Sequence, residues 1–192
     1  SRKLVLDVEA TTALLLPPPQ PIRKEVEVNT IKNLTNLKNN QISIKMVNSL
    51  GASATPMSLG ELYIAIQQGV VDGAENNLPS FVFSNHYEVS KYYTLDQHSL
   101  VPDVLIISTK YWDKLSIQEQ KWLQEAANKS SQAQKEFWNE SVKESLKIVK
   151  DFGVEIIIPK KSLFINKTKI VVEEFKKEYP RFSELLSQII AQ

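Results

Sequence analysis

At 192 residues, 42% of them hydrophobic, with 23 basic against 22 acidic side chains, the chain has the composition of a soluble globular protein of one large domain or two small ones. A formal net charge of +1 leaves no surplus for neutralising phosphates, so neither nucleic acid nor a lipid surface is an expected partner, and no apolar run reaches the roughly 18 residues that cross a bilayer. The absence of cysteine removes disulfide frameworks, thiolate nucleophiles and cysteine-held metals, and the two histidines, His86 and His98, are not spaced as zinc ligands, so neither a metal nor a cofactor is expected.

Residues 1–30 read differently from the rest. The apolar Leu14-Leu15-Leu16 leads into Pro17-Pro18-Pro19-Gln20-Pro21, where fixed φ angles and missing N–H groups impose an extended path, and the whole stretch reads as an unassigned segment ending in a Pro-rich linker. Arg2 and Lys3 are followed by Asp7 and Glu9 before any apolar core, which is not the order of a secretory leader, so an exported form is expected to have lost its leader. Further on, Met46, Val47 and Leu50 share a helical face that Gly51 terminates, and residues 53–57 read as extended. Ser58 and Glu61 have capping-box spacing, with Leu59, Leu62, Tyr63 and Ile66 forming one apolar face before Gly69. Val70-Val71 reads as a short buried strand entering an Asp72-Gly73 turn, and Asn76-Asn77 with Pro79 as a loop that starts a helix.

Two strands are expected at 93–98 and 104–108, the second a continuous apolar run of the kind covered on both faces. A second capping box, Ser116 with Glu119, opens a long helical pattern that ends at Gly153. Residues 154–158 form another apolar strand closed by Pro159, and 165–179 and 182–190 are amphipathic helices separated by Pro180. Strands alternating with helices indicate an α/β architecture with mainly parallel or mixed pairing.

The densest polar cluster is Asp72-Gly73-Ala74-Glu75-Asn76-Asn77, after a short apolar strand, where an α/β sheet exposes its binding edge. Paired amides donate and accept together, which suits sugar hydroxyls or a carboxylate, yet Asp-Gly also forms turns and Asn caps helices. Asp72 and Glu75 have the chemistry of an acid–base pair acting on a sugar, whereas Glu61 is already committed to capping. His98, beyond a strand, can hydrogen-bond a ligand or be packed; His86 looks ordinary. Tyr63, Phe81, Phe83, Tyr87, Tyr92, Tyr93, Tyr111 and Trp112 suit sugar stacking or core packing. No phosphate loop or nucleophile elbow is present. The rival readings are thus a sugar-acid-processing enzyme and a non-catalytic helical interaction module built on the long helix.

Taken together, residues 50–63 (Leu50-Gly51-Ala52-Ser53-Ala54-Thr55-Pro56-Met57-Ser58-Leu59-Gly60-Glu61-Leu62-Tyr63) and 66–77 (Ile66-Gln67-Gln68-Gly69-Val70-Val71-Asp72-Gly73-Ala74-Glu75-Asn76-Asn77) resemble the DctP-type solute-binding subunits of TRAP transporters. The resemblance continues through His86-Tyr87-Glu88-Val89, Lys91-Tyr92-Tyr93, His98, Trp112-Asp113-Lys114-Leu115-Ser116 and Glu184-Leu185-Leu186, covering residues 31–192. It implies a periplasmic-binding-protein-like two-lobed α/β fold with mixed sheets and a long lobe-bridging helix, incomplete in this chain because most of the N-terminal lobe has no counterpart. It also implies a non-enzymatic periplasmic protein that captures a small organic acid and delivers it to a sodium-driven TRAP membrane permease. A sugar acid such as a uronate or aldonate is favoured over a C4-dicarboxylate. The ligand-binding residues it implies are Asn76, flanked by Asn77 and Glu75, with Leu59 where the family commonly has an aromatic cover, and His98. Family members also carry an arginine on the strand after the lead-in at 31–39, whereas here the chain passes directly into 40–47, and the only arginines are Arg2, Arg23 and Arg181. A ligand carboxylate without that two-pronged partner forgoes roughly 2–5 kcal/mol, and weak affinity is the expected consequence.

Overall fold

Short-range chemistry fixes most helix ends in the computed structural model, which describes residues 3–5, 12–16, 33–35, 40–99 and 103–190. In chain order the elements are β1 (Lys3–Val5), β2 (Thr12–Leu16), β3 (Asn33–Thr35), α1 (Gln41–Ser49), β4 (Ser53–Ala54), α2 (Leu59–Gln67), β5 (Gly73–Asn77), α3 (Leu78–Phe83), β6 (Tyr92–Thr94), β7 (Val104–Ile106), α4 (Thr109–Trp112), α5 (Ile117–Phe152), β8 (Glu155–Ile157), α6 (Lys161–Glu178) and α7 (Ser183–Ile190). Single 3-10 turns occur at His86–Glu88 and Pro180–Phe182. The Asn40 side chain accepts from Ser43 N–H at 3.1 Å and opens α1. In α2 the Glu61 carboxylate accepts from both the Ser58 N–H at 3.1 Å and its hydroxyl at 2.7 Å, and Glu119 does the same for Ser116 at 2.8 and 2.7 Å at the start of α5. Gly153, at φ +94°, turns the chain out of α5 in the left-handed conformation that a side chain resists.

Six strands form one sheet in the order β4-β3-β5-β2-β6-β8, and β1 pairs separately with β7. In the large sheet β2 is antiparallel to both β5 and β6, while β3 is parallel to β4 and β5 and β6 is parallel to β8. Every strand of that sheet but β2 therefore points the same way, and the carboxyl ends of β5, β6 and β8 share one edge. Helices α2, α3 and the end of α5 cover one face: Leu62, Ala65, Ile66, Val71, Ala74, Leu78, Phe81, Tyr93, Val149 and Val154 make a single buried cluster. Phe81 and Tyr93 stack at 5.0 Å between ring centroids, and Tyr87 meets Phe152 edge-on at 4.9 Å. Fully burying a ring such as that of Phe81 stabilises the fold by about 2–3 kcal/mol. A satellite cluster around Val47 joins α1 to β4 and β6.

The architecture is α/β with mixed pairing and one helix of 36 residues, but several elements differ from the sequence reading. Residues 1–30 are not wholly a segment apart, because Thr12–Leu16 sits in the middle of the large sheet and Lys3–Val5 pairs with β7; the prolines at 17–21 lie outside the described residues. Val70-Val71 is not a strand. Gly69 at φ +69° wraps the chain so that Val70 N–H and Val71 N–H both donate to Ala65 C=O, and the strand begins at Gly73 instead. The apolar run at 104–108 is not doubly covered either: Val104, Leu105 and Ile106 are 44, 41 and 67% exposed, and among the described strands they pair with β1 alone. Strand β6 stops at Thr94, short of the expected 98. At 40–47, after the lead-in, the chain forms α1 from Gln41 onward.

Candidate functional site

Strand β5 carries the site. Its register pairs Glu75 with Leu14 and Asn76 with Ala13, and Leu14 in turn pairs with Thr94, so Glu75 and Thr94 lie on the same face of the sheet. Ala74 and Asn76 lie on the opposite, helix-covered face. Asn76 is placed firmly: its backbone C=O accepts from the Tyr93 hydroxyl at 3.2 Å and its side-chain Oδ1 accepts from Asn77 N–H at 2.9 Å. Its Nδ2 is buried and has no hydrogen-bond partner among the described residues. An amide N–H₂ in that condition is under-satisfied and available to an acceptor on a ligand. The Asn77 side chain is already in use, because its Oδ1 accepts from Ser80 N–H at 2.9 Å and caps α3.

Beyond β6 the chain brings Asp96 and His98 to Glu75. His98 Nδ1–H donates to Asp96 Oδ1 at 2.9 Å, and His98 Nε2 lies 3.6 Å from Glu75 Oε2, an ion-pair separation rather than a hydrogen bond. All three side chains are buried, at 3% exposure for His98, 0% for Asp96 and 8% for Glu75. Burial alone would lower the His98 pKa, but the bond to Asp96 and the proximity of Glu75 outweigh it and hold the imidazole up at about 9. Two carboxylates thus share one imidazolium, a formal charge of −1. Among the described residues Asp96 Oδ2 and the hydroxyl of the fully buried Thr94 have no partner. Lys161 Nζ donates to the neighbouring Gln97 side chain and stands exposed at the start of α6, past the carboxyl end of β8.

Of the residues singled out from sequence, the fold joins Glu75 to His98 and keeps Asn76 and Asn77 on the same strand. Leu59 stands 45% exposed on the first turn of α2 and is outside the contacts that join these residues. Asp96 was missed, although its spacing of two from His98 across an extended segment was the available signal. His86, read from sequence as ordinary, is buried with no partner for either ring nitrogen among the described residues, and burial lowers its pKa. Of the rival acid–base reading, Glu75 faces His98 and Asp72 lies in the bend before β5. Phe81, Tyr87 and Tyr93 belong to the core. Among the described residues arginine occurs at Arg181, against the Phe182 ring, and no group of three or more acidic or histidine side chains is arranged to hold a metal.

The family model of bacterial extracellular solute-binding proteins, family 7 (DctP), matches residues 24–178. The chain belongs to the DctP family. A solute-binding protein of Chromohalobacter salexigens is 35% identical over 170 residues, which is 88% of this chain and 50% of that relative. A TRAP periplasmic solute-binding protein from the same organism, solved with bound D-glucuronate, superposes with a TM-score of 0.86 at 32% identity, covering 96% of this chain and 62% of the other. One from Sulfitobacter sp. NAS-14.1, with bound β-D-galacturonate, gives 0.83 at 35% identity over 95% of this chain and 59% of the other. The chain has the fold of the matching part of these DctP proteins and spans about half the length of the relatives it matches. None of its helices is long and apolar enough to cross a membrane, among the described residues.

Proposed function

We propose that this chain is the ligand-capturing part of a periplasmic solute-binding component of a TRAP transporter, taking up a sugar acid of the uronate or aldonate kind and passing it to a sodium-driven membrane permease. The observation that carries the reading is the likeness, over nearly the whole chain, to two solute-binding proteins that hold uronates. The site suits that ligand. Asn76 offers a buried amide donor with no partner among the described residues on one face of β5, and Glu75 with His98 lies on the other face, near the carboxyl edge of the sheet, where α/β proteins bind ligands. The role is capture and delivery without catalysis, because binding residues that hold a ligand by hydrogen bonds need no nucleophile.

Calorimetric titration of the full chain with D-glucuronate and D-galacturonate tests this. Saturable heat with at least one uronate is expected, and Asn76→Ala should weaken it about tenfold or more, since it deletes a desolvated hydrogen bond, while leaving the melting temperature within a few degrees. Absence of saturable heat with both uronates would overturn the reading; unchanged affinity in Asn76→Ala would remove that residue from the site.

A further inference from the structure

The acidic side of the site points to a rule for choosing among acids. Glu75 and Asp96 face one histidine between them, so one negative charge is left over in a place with almost no solvent. Asp96 is 3% exposed, and its Oδ2 has no partner. Thr94, fully buried on the same sheet face as Glu75, also has an unpartnered hydroxyl. A buried polar atom left unpaired is uncommon in a folded protein and marks a place where a ligand or water completes the hydrogen bonding. The only cation that the described contacts bring to the neighbouring segment, Lys161, is bonded to Gln97.

We propose that Asp96 is a specificity-determining residue which, with Glu75 and Thr94, forms an electronegative wall that takes hydroxyl donors of the ligand and turns away a second carboxylate. The inference rests on the sugar-acid reading above and deepens it. A ligand hydroxyl can donate to a carboxylate oxygen, a charge-assisted bond stronger than one between neutral groups. A ligand carboxylate can only accept, so against this wall it would meet like charge and leave Asp96 Oδ2 unsatisfied. The wall therefore suits a polyhydroxy acid with a single carboxylate, held elsewhere in the site, and rejects a dicarboxylate of similar length. Asn76 Nδ2, on the other face of β5, supplies a donor rather than an acceptor, so the two faces of one strand present opposite hydrogen-bonding demands.

The test is titration of the full chain and of Asp96→Asn with D-glucuronate and with succinate, at about pH 6 so that His98 keeps its proton in the variant. The native chain is expected to prefer glucuronate by about thirtyfold or more, and Asp96→Asn to narrow that ratio at least about fivefold, chiefly by gaining succinate affinity. Glu75→Gln, which removes the other negative charge, should narrow it in the same direction and serves if Asp96→Asn fails to melt cooperatively. Equal affinity of the native chain for both acids, or an unchanged ratio in a folded variant, would overturn this inference and leave the sugar-acid reading standing. Binding of neither acid would overturn both.

Discussion

The two histidines are both buried, yet their environments move them in opposite directions. His98 is held up at about 9, because burial, which would lower it, is outweighed by Asp96 and Glu75, whereas His86 is lowered by burial with no acidic partner to offset it. A pKa raised on folding contributes stability that is complete below the unfolded value near 6.5 and is lost as pH rises through 9; for His98 this amounts to roughly 3 kcal/mol. A pKa lowered on folding works the other way, so His86 withdraws stability as pH falls below about 6.5. Urea midpoints should therefore peak near neutral-to-slightly-acid pH and decline on both sides. His98→Gln should flatten the alkaline limb and His86→Leu the acid limb, and limbs unaltered by these changes would show that other groups govern them. At this scale the sequence was partly readable. It offered His98, Glu75 and Asn76 as polar residues near one another, but which of them meet depends on β2 threading between β5 and β6, a pairing across some 60 to 80 residues that spacing does not encode. Asn77 illustrates the same point: its amide is as suitable for a ligand as that of Asn76, and only the start of α3 at Leu78 assigns it to a cap.

Helices were legible where strands were not, because caps and apolar periodicity act within one turn while a strand needs partners. Gly73-Ala74-Glu75-Asn76-Asn77 has little strand propensity and reads as a loop, yet it forms β5 because β3 and β2 supply hydrogen bonds on both sides. Conversely, the two capping boxes were visible in sequence and are formed. Their energetic weight is measurable on α5. Ser116→Ala removes the hydroxyl that donates to Glu119 and accepts from its N–H, and should cost about 1 kcal/mol. At the other end, a Cβ on Gly153 would meet nothing within 4 Å, so Gly153→Ala is penalised by its φ of +94° alone, again by about 1 kcal/mol. Gly60 is the control. It lies in the first turn of α2, where an added Cβ would likewise meet nothing within 4 Å and φ is not left-handed, so Gly60→Ala should stabilise by up to about 1 kcal/mol. Denaturation midpoints of the three variants check the signs; a stabilising Gly153→Ala would refute the conformational argument.

For the molecule as a whole, the sheet's continuity depends on a strand that the family model does not include. The family model begins at residue 24, whereas β2, residues 12–16, pairs with both β5 and β6 and, among the described strands, alone links the two halves of the six-stranded sheet. Without β2, β4, β3 and β5 would lose their hydrogen bonds to β6 and β8, and the backbone groups of β5 and β6 that face it would be left to water or to nothing. The buried cluster spans the same division, with Ala74 on β5 and Tyr93 on β6 both fully buried. The apolar Leu14-Leu15-Leu16 was the one sequence signal of this strand, and the prolines beside it made the segment look like a linker. A chain trimmed to residues 24–178 would keep the span of the family model and lack the central strand. It should lose cooperative thermal unfolding by circular dichroism, and with it the Glu75–His98 pairing that bridges the two halves of the sheet, so uronate binding should vanish as well. If the trimmed chain instead melts cooperatively at the temperature of the full chain, β5 and β6 are held in place by the helices on their covered face, and the strand at 12–16 contributes nothing to the site.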